Sequence, residues 1–182
     1  MARIPTIERK EQLAPEHHAV YDLIGRRRGR VAGPFTVLLH SPQIAGRTAE
    51  LGVYIRFESK LTPHDRELAV ITAAREMDCQ YEWAAHVLEA RKAGVREEAI
   101  AAIRDRRAPA GLTADEAQLV NYVRQLLRQH RVDEGAFTAV GERLGVQALV
   151  ELTATVGYYG MIACTLNAFE VAPAPGADRL PA

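Results

Sequence analysis

The sequence predicts an all-α protein of about seven to eight helices with little or no sheet. Three observations predict it. Apolar residues recur three and four positions apart through most of the chain. Helix-start and helix-stop signatures punctuate it throughout. No segment sustains a period-two alternation enriched in β-branched residues.

The elements follow in order. Pro15 opens a helix to about Arg27, ended by Arg-Gly-Arg-Val-Ala-Gly-Pro. Ser41-Pro42 pairs an N-cap with a proline at the first helical position, and that helix reaches about Phe57. Thr62-Pro63 repeats the signature, with Asp65 three residues on, and leads to about Glu76. A helix from Gln80 to Ala93 stops at Gly94, and a shorter one runs from Arg96 to about Asp105. After Pro109-Ala110-Gly111, the capping box Thr113-Ala-Asp-Glu116 starts a helix to about His130. Val132 to Arg143 and Val146 to Phe169 complete the set. The tail 171–182, with Pro173, Pro175, Gly176 and Pro181, is predicted to lie extended.

At 182 residues the chain is read as one domain. It comprises an N-terminal helical extension (1–40), a core motif region (41–105), C-terminal helices (106–170) and the tail. Lys plus Arg and Asp plus Glu number 23 each, so no net field gathers phosphates or anionic lipids, which argues against nucleic acid and membrane partners. The basic cluster Arg26-Arg27-Arg28 with Arg30 reads as a solvated helix end. Leu152 to Phe169 carries no charge but contains several Thr, Gly and Asn and lacks Lys or Arg anchors. It is read as a helix buried on every side, part of that cover coming from a second copy of the chain. Two cysteines, and an N-terminus without an apolar signal core, lead to a reducing cytoplasm as the expected location.

Candidate chemistry lies on two consecutive helices. Glu67 shares the apolar stripe of Val70, Ile71 and Ala74, whereas Arg66, Arg75 and Glu76 fall off it. A carboxylate aligned with a buried face needs a specific partner. The next helix offers one, because Cys79, Glu82, His86 and Glu89 are spaced three, four and three apart along one stripe. That row borders the apolar stripe of Trp83, Val87 and Ala90, where a cleft would leave it half desolvated. A histidine there can exchange protons near neutral pH while a carboxylate fixes its tautomer. Cys79 sits at a helix N-terminus, which favours a thiolate, although Asp78 and Glu82 oppose it. Cys164 reads as core filler. The expected active residues are His86, Glu67, Glu82 and Cys79. Arg56 and Arg75 are expected to hold an anionic substrate, with Trp83 and Tyr81 beside it. No metal and no cofactor is expected, since Glu82-x-x-x-His86 finds no second histidine motif.

The segment Arg66-Glu-Leu-Ala-Val-Ile-Thr-Ala-Ala-Arg75, followed by Cys79-Gln-Tyr-Glu-Trp-Ala-Ala-His86, resembles the carboxymuconolactone decarboxylase family, which includes alkyl hydroperoxidase D-like proteins. The likeness is strongest from about Ser41 to Arg104. The resemblance implies a helical bundle of the alkyl hydroperoxidase D type that self-associates as a dimer, trimer or hexamer. The peroxidase branch uses a Glu, eleven residues, Cys-x-x-Cys, three residues, then His. Glu67, Cys79 and His86 stand at three of those positions and Glu82 replaces the second cysteine. The decarboxylase branch is similar in carrying Glu-Trp-x-x-His there. The resemblance therefore implies cofactor-free acid/base chemistry on a small carboxylated lactone or carbonyl compound, with His86 as the proton carrier. Two alternatives stay open: hydroperoxide reduction at Cys79, and a non-enzymatic oligomeric binding module.

Overall fold

The computed structural model describes residues 2–181, all in helices, turns or irregular segments, with no strand among them. Met1, Ala182 and the side chain of Arg28 lie outside the described residues, and with them the last residue of the expected tail and one arginine of the basic cluster. Eight α-helices are described: α1 (His18–Arg28), α2 (Phe35–Leu38), α3 (Pro42–Phe57), α4 (Pro63–Glu76), α5 (Gln80–Lys92), α6 (Glu97–Arg104), α7 (Ala114–Gln129) and α8 (Glu134–Ala168). The expected all-helical class is the observed one.

The chain divides into two compact units. The first holds the chain up to Ser59 together with Cys164–Ala172. Ile24 of α1, Phe35 of α2 and Ala45 and Ala49 of α3 form its core with Ile7 and Leu39. Pro15–His17 is a 3-10 turn rather than the first turn of α1, and Ser41 precedes α3 without a side-chain cap bond. The short helix α2 has no counterpart among the expected elements.

The second unit, Lys60–Ala163 with the tail from Pro173, carries the candidate residues. Its centre is α4, which packs most extensively on α5 and α7 and is buried without interruption from Glu67 to Arg75. Thr62 caps it, its hydroxyl accepting the Asp65 amide at 3.0 Å. Thr113 and Glu116 form the expected capping box at the start of α7. The tail is non-helical, as expected, and returns to α5, where the Gln80 side chain bonds both backbone groups of Leu180.

Helix α8 bears on two expectations, and one of them is corrected. By length and composition this helix could cross a membrane, yet only 56% of its most apolar window is buried in this chain. Val146 is 80% and Val150 62% exposed, and Ala154, Gly157 and Met161 continue the open stripe at helical spacing. This chain alone therefore leaves one side of the stretch open, the side for which cover by a second copy is expected. Cys164 falls on the same stripe and is exposed, so it fills no core.

Gly145 divides α8 at φ 77° and ψ 163°, a region essentially restricted to glycine. Gly145→Ala is expected to lower stability by roughly 1–3 kcal/mol in thermal or urea unfolding. An unchanged midpoint would show that the break relaxes without strain.

Candidate functional site

The α4–α5 turn brings the two helices together. Met77, Asp78 and Cys79 connect them, with Asp78 in the left-handed region at φ 46°, which aspartate tolerates better than most residues. Arg106 holds both oxygens of the Asp78 carboxylate at 3.0 Å, and the Arg75 guanidinium bonds it as well. The Cys79 amide closes back on the Ala74 carbonyl at 2.8 Å, and Cys79 becomes the N-cap of α5.

Within this frame Glu67, Glu82 and His86 meet. His86 Nδ1 lies 2.8 Å from Glu67 Oε2, and its Nε2 lies 3.3 Å from Glu82 Oε2 one turn earlier on α5. The three residues are only 4–6% exposed. The half-desolvated row expected from the sequence is thus a fully buried cluster, because α4 covers the stripe from above. Glu89 leaves it and pairs with Lys92 at 2.8 Å.

Two further residues complete the cluster. Arg66 Nε donates to Glu67 Oε1 at 3.2 Å, which corrects the expectation that Arg66 points away. Neighbouring side chains on a helix diverge, but an arginine is long enough to fold back along the edge of the face. Its position in Arg66-Glu67 was the available signal. The Tyr159 ring of α8 stands edge-on to the imidazole, with centroids 4.9 Å apart and planes at 82°. Tyr158 in turn packs edge-on to Tyr159. No local pattern connects α8 to α5.

The electrostatics follow from this geometry. Burial alone would push the His86 imidazole down, but its bonds to Glu67 and Glu82 and their charges reverse this and raise it to about 9. Burial would likewise push Glu67 up, and the bond and charge of His86, followed by Arg66, hold it below the ordinary carboxylate value. At neutral pH the resting pair is a carboxylate and an imidazolium. The shorter contact fixes Nδ1–H on Glu67 and leaves Nε2–H the more loosely held proton.

The remaining expected residues take other places. Cys79 is fully buried, and its carbonyl accepts the Trp83 amide at 3.0 Å. Trp83 is fully buried and its indole N–H donates to Asp178 at 3.2 Å. Tyr81 is half-buried. Arg75 is engaged by Asp78 and by the Arg104 carbonyl at 2.7 Å. Arg56 belongs to the first unit, where its guanidinium lies 5.5 Å from the Phe57 ring centroid. A cavity of about 220 Å³ between α1 and α3 is lined by Leu23, Arg27, Val53 and Tyr54 among others, all residues of that unit. Among the described residues no set of three or more His, Cys, Asp and Glu is arranged to hold a metal ion.

Part of the chain is similar to a known family. Residues 42–125, which contain the whole α4–α5 frame, match the model of the carboxymuconolactone decarboxylase family. That match runs from the start of α3 into α7, a little under half of the chain. The chain's fold is similar to that of an uncharacterised peroxidase-related protein with an alkylhydroperoxidase AhpD core from Ralstonia eutropha JMP134. The TM-score is 0.77 at 17% identity over 96% of this chain and 93% of that one. A cysteine-to-alanine variant of the debrominase Bmp8, bound to 2,3,4-tribromopyrrole, gives 0.74 at 14% over 96% and 94%. A protein of unknown function from Agrobacterium tumefaciens, described in terms of AhpD antioxidant defence, gives 0.69 at 18% over 79% and 99%. At these identities the likeness establishes the fold. No curated protein matches the sequence.

The raised imidazole sets a pH dependence of stability. Unfolded, it titrates near 6.5; folded, at about 9. Between those values the folded chain keeps a proton that the unfolded chain has lost, so stability is full below about 6.5 and declines as pH rises, by on the order of 3 kcal/mol. Glu67 contributes in the opposite direction, its share being present above about 4.5 and lost in acid. Urea unfolding from pH 6 to 9.5 is expected to follow this decline in the parent and to flatten in His86→Gln. Equal slopes would remove His86 as its source.

Proposed function

We propose that the chain is a carboxymuconolactone decarboxylase-like enzyme that works without a cofactor and uses His86 as the proton donor to a small carboxylated lactone or carbonyl compound. The observation that carries this reading is the asymmetric contact of the two ring nitrogens with Glu67 and Glu82. A histidine held this way rests as an imidazolium with one proton anchored and the other more loosely held.

The step balances without an oxidant. The bond to the substrate carboxylate breaks, carbon dioxide leaves, and the electron pair passes into the conjugated carbonyl as a dienolate. His86 Nε2 gives its proton to carbon, Glu67 keeps Nδ1–H in place, and solvent restores the lost proton. Arg66, the guanidinium beside Glu67, is better situated to favour the anion than Arg75, whose Nε and Nη1 are engaged by Arg104 and Asp78. Self-association belongs to the same reading: the open stripe of Val146, Val150 and Met161 on α8 suits a second copy of the chain.

Two observations favour other readings. Cys79 at the N-terminus of α5 suits a peroxidatic thiolate, although its burial and Glu82 in place of a partner thiol count against it. The mutual saturation of Glu67, His86 and Glu82 suits a structural clasp in a binding module. Two assays separate the three, and absence of both activities in the parent chain would leave the binding module. Carbon dioxide release from carboxylated lactones is expected to fall by about a hundred- to ten-thousand-fold in His86→Ala, with helical circular dichroism retained, and to persist in Cys79→Ser. Full activity in His86→Ala would end the acid/base reading. Peroxide consumption lost in Cys79→Ser, with a sulfenate trapped in the parent, would establish the thiol reading.

A further inference from the structure

Helix α5 has a second face beside the one that carries Glu82 and His86, apolar at its centre and polar at both ends. Gln80, Trp83, Val87 and Arg91, spaced three, four and four apart, line it, and the end of the tail lies on it. The Gln80 carboxamide donates to the Leu180 carbonyl at 3.1 Å and accepts the Leu180 amide at 3.0 Å. One side chain thus reads both backbone groups of one residue, as a neighbouring strand would. Asp178 is read by its charge: one oxygen accepts the Trp83 indole N–H at 3.2 Å and the other lies 3.4 Å from Arg91 Nη2. Leu180 is 5% exposed, its side chain enclosed although the residues on either side of it are exposed.

Recognition therefore rests on an aspartate, one intervening position and a leucine. Pro173, Pro175 and Pro181 bias that segment away from helix. It has no regular secondary structure, and its described bonds to α5 are confined to two residues. Segments of this kind open at far lower cost than the helices they rest on.

We propose that the Gln80–Trp83–Arg91 face of α5 is a docking groove for an extended Asp-x-Leu segment, filled by the chain's own residues 173–181, which leave and return as a strap. This stands independently of any catalytic role for His86.

Trp83 is the only tryptophan in the sequence, so its emission reports occupancy directly. In full-length Asp178→Ala/Leu180→Ala, Trp83 emission is expected to shift to the red and acrylamide quenching to rise, with helical circular dichroism unchanged. Excess synthetic peptide of residues 173–181 should restore both signals, and a scrambled peptide neither. In the unaltered chain the Leu180 amide should exchange at least about tenfold faster than the central amides of α4. Exchange at the α4 rate would overturn the proposal by making the segment a permanent part of the fold. So would a variant whose exposed tryptophan the peptide fails to protect.

Discussion

A carboxylate inside the most buried helix of the second unit is the constraint on which the rest of the site depends. Glu67 lies on α4 among residues removed from water on nearly every side. An ionised carboxylate there is tolerated only if cations and donors replace its hydration. His86 and Arg66 do so, one on each oxygen. Such a pair adds little net stability over a well-packed apolar alternative, but removal of one partner alone is costly, roughly 3–5 kcal/mol. The pair therefore works as a registry device. It fixes how α5 is rotated against α4, and the left-handed turn at Asp78, held by Arg75 and Arg106, fixes how closely α5 follows.

That rotation also gives the imidazole two unlike ends. Nδ1 faces a carboxylate on a different helix, at a distance set by the packing of α4 on α5, whereas Nε2 faces a carboxylate on its own helix across a longer gap. The first contact orients the ring and sets its tautomer, and the second holds the other N–H more loosely. The Tyr159 ring closes a further side. Since one fold can carry several chemistries, and the solved relatives share under a fifth of their residues with this chain, it is this local arrangement rather than the bundle that bears on function.

How much of this was legible in the sequence depends on the range of each interaction. The Glu82–His86 contact lies within one helix, where four-residue spacing is nearly sufficient to establish it. Glu67 was legible by a different route: an ionisable group on an apolar stripe announces a partner without naming it, and only the packing of α5 supplies the name. Arg66 was hidden because helical spacing assigns it to another face, while its length allows a return. Tyr159 was hidden because nothing local ties α8 to α5. The cover of α8 was legible only in part for a related reason. Composition reports that a helix avoids charge, but not whether its own chain or another surface covers it, and here the stripe from Val146 to Cys164 stays open. The division into two units leaves no mark in composition, since Cys164–Ala172 groups with the N-terminal part of the chain.

The substitution that looked like the loss of one thiol has a wider physical consequence. A cysteine at position 82 would be a weak acceptor, leaving the charge of His86 opposed by Glu67 alone and able to favour a thiolate nearby. With Glu82 there, a second carboxylate draws on the same imidazolium. The field available to lower the Cys79 thiol is correspondingly smaller, and Cys79 itself is shut away from solvent. The same carboxylate strengthens the hold of the ring on its protons. One residue thus turns the cluster away from nucleophilic sulfur and toward a proton stored above neutral pH. On this ground acid chemistry at His86 is the reading that the electrostatics of α4 and α5 favour over peroxide chemistry at Cys79.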